Sequence, residues 1–283
     1  MSNKYTELEE EIIKNNYEKY GPKYCAVLLN RDEDAIYAKA KRMNIKKNGR
    51  RKHPSMQKIN PEQFWNIKSK EICYLLGFLW ADGYIDYRKN KTSNCYKISL
   101  EIKSQDMSDV KHIFDSLGEW AFSQRKRKEW QETTTMSTNS QDIYTFLKSV
   151  GYDSKSDIEP TFILEKIPEN LKVYWWRGYF DGDGSISFGE YPAKWKSLQF
   201  CASFNYEWKE LKKLLEQLDI KKYNIVNCMS KELPVMHRSS KFIIQNKKEI
   251  IKFINFLSKS EISLKRKTER MNAFLTRYNK NPE

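Results

Sequence analysis

The chain has 283 residues, 39% of them hydrophobic and 14% aromatic, and that much apolar material excludes a wholly disordered protein. Its 51 Lys and Arg exceed 37 Asp and Glu, for a net charge of +14. An excess of this size favours a polyanionic partner, nucleic acid ahead of an anionic membrane. The five cysteines (Cys25, Cys73, Cys95, Cys201 and Cys228) stand singly, and three histidines do not complete zinc sites with them, so reduced thiols inside a cell are expected. The longest apolar run, residues 72–81, is about half of a bilayer span. Residues 1–20 are polar and acidic, unlike a signal peptide. The expectation is an intracellular protein with no membrane partner.

Residues 5–48 predict three short helices. Thr6 and Glu9 form a capping box, and Leu8, Ile12, Ile13 and Tyr17 follow at helical spacing up to Gly21-Pro22. A second helix over 23–29 would turn Ala26, Val27 and Leu28 inward. The third, Glu33 to Met43, has Ile36, Ala40 and Met43 on one side, with Lys39 and Arg42 among its remaining residues. A tri-helical unit ending in a basic helix resembles helix-turn-helix or Myb-like modules, which makes Lys39 and Arg42 candidate DNA contacts. The basic stretch that follows, with Arg50 and Arg51, reads as a linker over 49–62 that tracks phosphates.

From residue 63 the chain repeats itself. A hydrophobic helix ends at Ala81-Asp82-Gly83 and another at Gly182-Asp183-Gly184, about 100 residues apart. After each come two strands, a helix, two strands and a helix. In the first copy the strands are expected at 84–88, 96–103, 120–126 and 130–138, with helices at 107–117 and 142–150. In the second they are expected at 185–191, 195–204, 223–229 and 235–244, with helices at 207–218 and 247–257. The prediction is an α+β chain of two pseudo-symmetric αββαββα repeats, residues 63–159 and 160–283, preceded by the tri-helical module of residues 1–48.

The two helix ends have a physical logic of their own. Gly77 and Gly178 sit mid-helix, where glycine costs about 0.5–1 kcal/mol relative to alanine; close approach of two helices at those points would offset it. Ala81 and Gly182 extend the same small-residue face. Gly83 and Gly184 are expected as left-handed C-terminal caps. Asp82 and Asp183 would then lie at the negative ends of their helices, a conflict that a divalent cation relieves.

The segments Leu75-Leu76-Gly77-Phe78-Leu79-Trp80-Ala81-Asp82-Gly83 and Trp176-Arg177-Gly178-Tyr179-Phe180-Asp181-Gly182-Asp183-Gly184 both resemble the LAGLIDADG signature of homing endonucleases. The resemblance covers residues 65–280. It implies a site-specific double-strand DNA endonuclease in which Asp82 and Asp183, with the Ala81 and Gly182 carbonyls, hold Mg²⁺ at the scissile phosphates. It also implies one basic residue per repeat that organises solvent around the phosphate, here Lys155 and, within Ser263-Leu264-Lys265-Arg266-Lys267, Lys265. At the sixth signature position the copies differ, Trp80 against Asp181.

In this family two sheets form a saddle on the major groove. The alternation of Ile98, Leu100 and Ile102 with Lys97, Ser99, Glu101 and Lys103 suits such a sheet. Arg125, Lys126, Arg127, Lys194 and Lys196 are the candidate phosphate contacts, and Gln199, Arg238 and Gln124 the candidate base readers. The fold leaves a non-cleaving DNA-binding regulator and an intron RNA maturase as alternatives. Both acids are kept, which argues against the first, and no residue excludes the second. With both acids in one chain, a monomer is expected. Met1 opens the chain and no splicing nucleophile is recognisable, so it is expected to be free-standing or intron-encoded rather than embedded in an intein.

Overall fold

The computed structural model describes residues 5–20, 22–45, 59–89, 94–126, 131–189, 195–203, 206–228 and 239–279. Contacts divide the chain into two units, Met1–His53 and Pro54–Glu283.

The first unit consists of α1 (Glu7–Tyr20), α2 (Pro22–Leu29) and α3 (Glu33–Arg42). The capping box forms as its spacing dictates: the Thr6 amide donates to Glu9 Oε2 at 2.8 Å and the Glu9 amide to Thr6 Oγ1 at 3.3 Å. Asp32 caps α3 by accepting from the Asp34 and Ala35 amides. Ile13, Tyr17, Cys25, Ala26, Ile36 and Ala40 make a small separate core. Leu8 and Leu28, expected inside, are exposed instead. On α2, Cys25 and Ala26 are buried and Leu29 packs partly against the same core.

In the second unit, α4 (Glu62–Trp65) precedes the first repeat: α5 (Lys70–Asp82), β1 (Gly83–Lys89), β2 (Asn94–Lys103), α6 (Met107–Leu117), β3 (Ala121–Arg125), β4 (Thr133–Asn139) and α7 (Gln141–Ser149). After α8 (Thr161–Lys166) the second repeat runs through α9 (Lys172–Asp183), β5 (Gly184–Phe188), β6 (Lys196–Ser203), α10 (Lys209–Gln217), β7 (Asn224–Cys228), β8 (Ser239–Ile244) and α11 (Lys247–Leu257), followed by α12 (Lys265–Asn279). The repeats share one strand order, β1-β2-β4-β3 and β5-β6-β8-β7, antiparallel throughout. The fold is therefore α+β with two four-stranded sheets, as expected. The helices α4, α8 and α12 were not anticipated.

Alternation decides which sheet face is buried. Ile98, Leu100 and Ile102 point into the core, and so do Leu198, Phe200, Phe242 and Ile244. One continuous apolar core joins both repeats through α5 and α9. Among the described residues, no helix is long and apolar enough to cross a membrane.

Candidate active site

α5 and α9 are held together by the absence of two side chains. A Cβ on Gly77 would stand 1.9 Å from the Trp175 carbonyl oxygen, and one on Gly178 would stand 2.1 Å from the Tyr74 carbonyl oxygen. The contacts are reciprocal and backbone to backbone, the closest approach two helices make. One turn on, a Cβ on Gly182 would meet the Ala81 Cβ at 2.3 Å and Asp82 Oδ2 at 3.1 Å. Small residues at 77, 81, 178 and 182 therefore let the two helix ends converge, and their terminal acids with them.

Gly83 and Gly184 end the helices differently from expectation. Their backbones are extended, with φ −74°, ψ 154° and φ −83°, ψ 152°, not left-handed. Each helix runs straight into the first strand of its sheet. A Cβ on Gly83 would lie 2.4 Å from the Leu79 carbonyl oxygen, and one on Gly184 2.1 Å from Phe180 Cδ2. The glycines answer crowding inside the turn.

Electrostatics tie Asp183 to Asp82. Burial, and after it the Asp82 charge, push Asp183 up to about 7, against the opposing pull of Lys155 and Lys267. Asp82 is also raised by burial, opposed by Lys155, Lys267 and Arg266. Its side chain is reached by solvent, but the surrounding protein replaces much of the hydration a carboxylate would have. Two carboxylates sharing the negative ends of two helices repel each other and both helix ends, which the nearby cations only partly offset.

Two lysines face them. Lys155 Nζ donates to the carbonyls of Leu79 at 3.1 Å, Trp80 at 2.8 Å and Ala81 at 2.6 Å, covering the C-terminus of α5. Lys267 Nζ donates to the Gly184 carbonyl at the end of α9. Burial lowers each to about 8, Arg266 adding to the effect at Lys267; the carboxylates pull the other way. Lys265, the expected second-repeat lysine, is not at the site. Its side chain is 78% exposed and lies 4.0 Å from Glu269. All three basic residues begin α12, and successive helix positions point in directions about 100° apart; Lys267 acts on both acids, Arg266 pairs with Asp106 and acts more weakly on Asp82, and Lys265 points away. A cavity of about 270 Å³ adjoins the centre, lined among others by Ala81, Lys155, Tyr179, Asp183 and Tyr206.

The donors fit a divalent cation of a particular kind. Among the described residues, no three His, Cys, Asp or Glu side chains gather into a metal cluster. Two carboxylates with backbone carbonyls suit a hard cation such as Mg²⁺, which commonly binds one or two carboxylates and takes water and substrate phosphate for the rest. The Ala81 carbonyl accepts from Lys155, so a cation there would compete with that hydrogen bond.

The outward sheet faces follow from register. On the first, Asp86, Lys97 and Asn139 align across three strands, Tyr84, Ser99, Ser137 and Ala121 across four, and Lys103, Thr133 and Arg125 across three. Lys97, Lys103, Arg125 and Lys126 are exposed. On the second, Ser185, Gln199, Ile243 and Asn224 align. Two expected contacts are placed on the other side. Lys196 pairs with Phe188, and its Nζ lies 5.5 Å from the Tyr278 ring. Gln124 shares the inward side of Met136 and Phe122. In the first unit Arg42 is exposed, whereas Lys39 pairs with Glu10 and lies over the Tyr5 ring. Arg50, Arg51, Arg127, Lys194 and Arg238 lie outside the described residues.

No family model matches the chain. The uncharacterized protein MJ0398 of Methanocaldococcus jannaschii is 26% identical over 232 residues, 77% of this chain and 76% of that protein. Among solved structures, I-DmoI bound to its nicked target DNA with manganese superposes with a TM-score of 0.50 at 13% identity, covering 69% of this chain and 98% of that one. The LAGLIDADG homing endonuclease I-GzeII in complex with its DNA target covers 80% of this chain and 94% of its own, at 14% identity and a TM-score of 0.48. Two αββαββα repeats joined at glycine-faced helices, matched along nearly the whole of I-DmoI, make this the LAGLIDADG homing-endonuclease fold.

Proposed function

We propose that the chain is a site-specific DNA endonuclease that cuts both strands of a duplex, acting as a monomer with one aspartate from each repeat. The observation that carries this reading is the convergence of Asp82 and Asp183 at two glycine-packed helix ends. Each of these ends leads directly into a sheet with a polar outward face. Two acids related by an internal repeat match a duplex in which each strand is cut once.

Asp82 and Asp183, with the Ala81 and Gly182 carbonyls, would hold divalent metal, Mg²⁺ by donor type. When bound, such a cation supplies Lewis acidity to the phosphoryl group and lowers the pKa of its water. The residues themselves orient the phosphate and govern protons. Lys155 spends its N–H donors on the carbonyls at the end of α5, so engaging a phosphate oxygen means exchanging one of these bonds. Lys267 stands in the same relation to Gly184. With pKa values near 8, both lysines are poised to hold or release a proton at physiological pH. Lys97, Lys103, Arg125 and Lys126 contact phosphates along one face, giving salt-dependent affinity, and Gln199 reads base edges on the other. The helical N-terminal unit adds DNA contacts through Arg42.

The test is incubation of the intact protein with Mg²⁺ and a pool of fully randomised duplexes, with sequencing of the ends produced. Recurrent double-strand breaks at one sequence are expected. Binding without breaks would replace the reading with a regulator, and affinity for structured RNA alone with a maturase. On the selected duplex, Lys267→Met should slow cleavage by at least about a hundredfold, the scale of a lost proton-transfer group. Lys265→Met should stay within about threefold, as suits an exposed side chain. The reverse order would return the role to Lys265.

A further inference from the structure

Asp181 is 1% exposed and carries no role in the site described above. Its carboxylate nevertheless joins three elements. Oδ2 accepts from Tyr74 Oη of α5 at 2.7 Å and from the Leu264 amide, at the threshold of α12, at 2.8 Å. Oδ1 accepts from Arg177 Nε at 3.1 Å. Arg177 reaches on from α9 to the Thr268 hydroxyl of α12 at 2.7 Å, and that hydroxyl meets Ser263 Oγ at 3.0 Å. Lys267 sits between the two tethered points, Leu264 and Thr268. The first repeat closes the clamp from the other side: Asp109 accepts from the Lys265 amide at 2.8 Å and Asp106 pairs with Arg266 at 2.7 Å.

A helix that begins with three consecutive cations is opposed by its own dipole and does not choose which of the three faces the acids. The docking of its first turn does. We propose that Asp181 is a positioning residue for Lys267, orienting the start of α12 so that this lysine, rather than the exposed Lys265 or the Asp106-paired Arg266, meets both catalytic carboxylates. This deepens the nuclease reading and rests on it. The first repeat has Trp80 at the matching position, where its indole N–H donates to Tyr206 Oη at 3.2 Å. Lys155 is instead anchored by its own contacts with α5. The consequence is asymmetric: loss of Asp181 disturbs one lysine and spares the other.

The experiment is a double-mutant cycle on the selected duplex, with single-turnover rates resolved for each strand. Asp181→Asn should slow cleavage by roughly tenfold to a hundredfold, the cost of a misplaced group, with duplex affinity within about threefold. Adding Lys267→Met to it should remove less than about threefold more, whereas adding Lys155→Met should exact its full separate effect. One strand should slow more than the other, so nicked duplex accumulates. In metal-free protein, the rate at which an amine-acylating reagent labels Lys267, followed by mass spectrometry, should rise while that of Lys155 stays constant. Tyr74→Phe, which removes one donor to Asp181 and keeps the ring, should show the same pattern more weakly, and it decides the matter if Asp181→Asn does not fold. Independent, multiplying effects of Asp181→Asn and Lys267→Met, or equal coupling to both lysines, would overturn the positioning role alone. A wild-type protein that cuts nothing would overturn the nuclease reading and this inference with it.

Discussion

Asp183→Asn is expected to abolish double-strand cleavage, leave duplex binding within about threefold, and raise the melting temperature of the metal-free protein at pH 8. The first part follows from removing one of the two carboxylates that would hold the metal. The last follows from linkage. In the folded chain the Asp183 pKa is about 7, against an ordinary value of 3.8. The native state thus binds a proton that the unfolded state has already released throughout that interval. Stability must fall as pH rises from about 4 to about 7 and level off above it. Three pH units correspond to about 4 kcal/mol as an upper limit, less where solvent screens the charge. Asparagine does not titrate, so the variant should show a shallower descending slope. It should melt several degrees higher at pH 8, on a scale of about 2–4 °C per kcal/mol for a domain of this size.

The lysines contribute with opposite sign in a separate window. Lys155 and Lys267 release their protons near 8 when folded and near 10.5 when unfolded, so stability regained above pH 8 belongs to them. Burial also raises Asp82, Asp181 and Glu159, so the Asp183 share is the difference between wild-type and Asp183→Asn melting curves in a chelating buffer between pH 5 and 8. An unchanged slope in Asp183→Asn would mean that the acid pair is not the origin of the pH dependence. Divalent metal should remove the slope in the wild type, because it takes the place of the proton.

The second large effect is expected at the helix crossing. Alanine favours a helix interior over glycine by about 1 kcal/mol, so on propensity alone Gly77→Ala and Gly178→Ala should stabilise. Both should instead destabilise by about 3 kcal/mol or more, the upper range for overpacking. The new methyl groups would meet carbonyl oxygens of the facing helix at 1.9 and 2.1 Å. Those atoms are backbone and have no rotamer to escape to. Relief requires the helices to part, which also moves Asp82 relative to Asp183. Chemical denaturation should record the loss of stability. Cleavage measured at a temperature where the variants remain folded should fall further than stability accounts for. A neutral or stabilising substitution would refute the close crossing on which the site depends.

The elements legible from the chain were those specified locally. α6 (Met107–Leu117) and α11 (Lys247–Leu257) fall where their apolar spacing places them, and Asn246 caps the latter. The alternating strands and the repeated Asp-Gly helix ends were equally plain, because period and motif are properties of neighbouring residues. α12 was not legible: it is strongly polar and opens with cations that disfavour a helix N-terminus. Its place comes from Asp106, Asp109 and Asp181, residues far away in sequence.

The same division explains the site. Composition, the duplicated glycines and the paired acids determined that two helices meet and what chemistry their ends suit. Local order did not determine that Lys267 rather than Lys265 faces the acids, that Gly83 and Gly184 are extended, or that Lys196 lies beneath its sheet. Adjacent positions on a helix or strand point in different directions, and a lysine carries the same charge in each. Only the docking of its element against the other repeat selects the direction it takes.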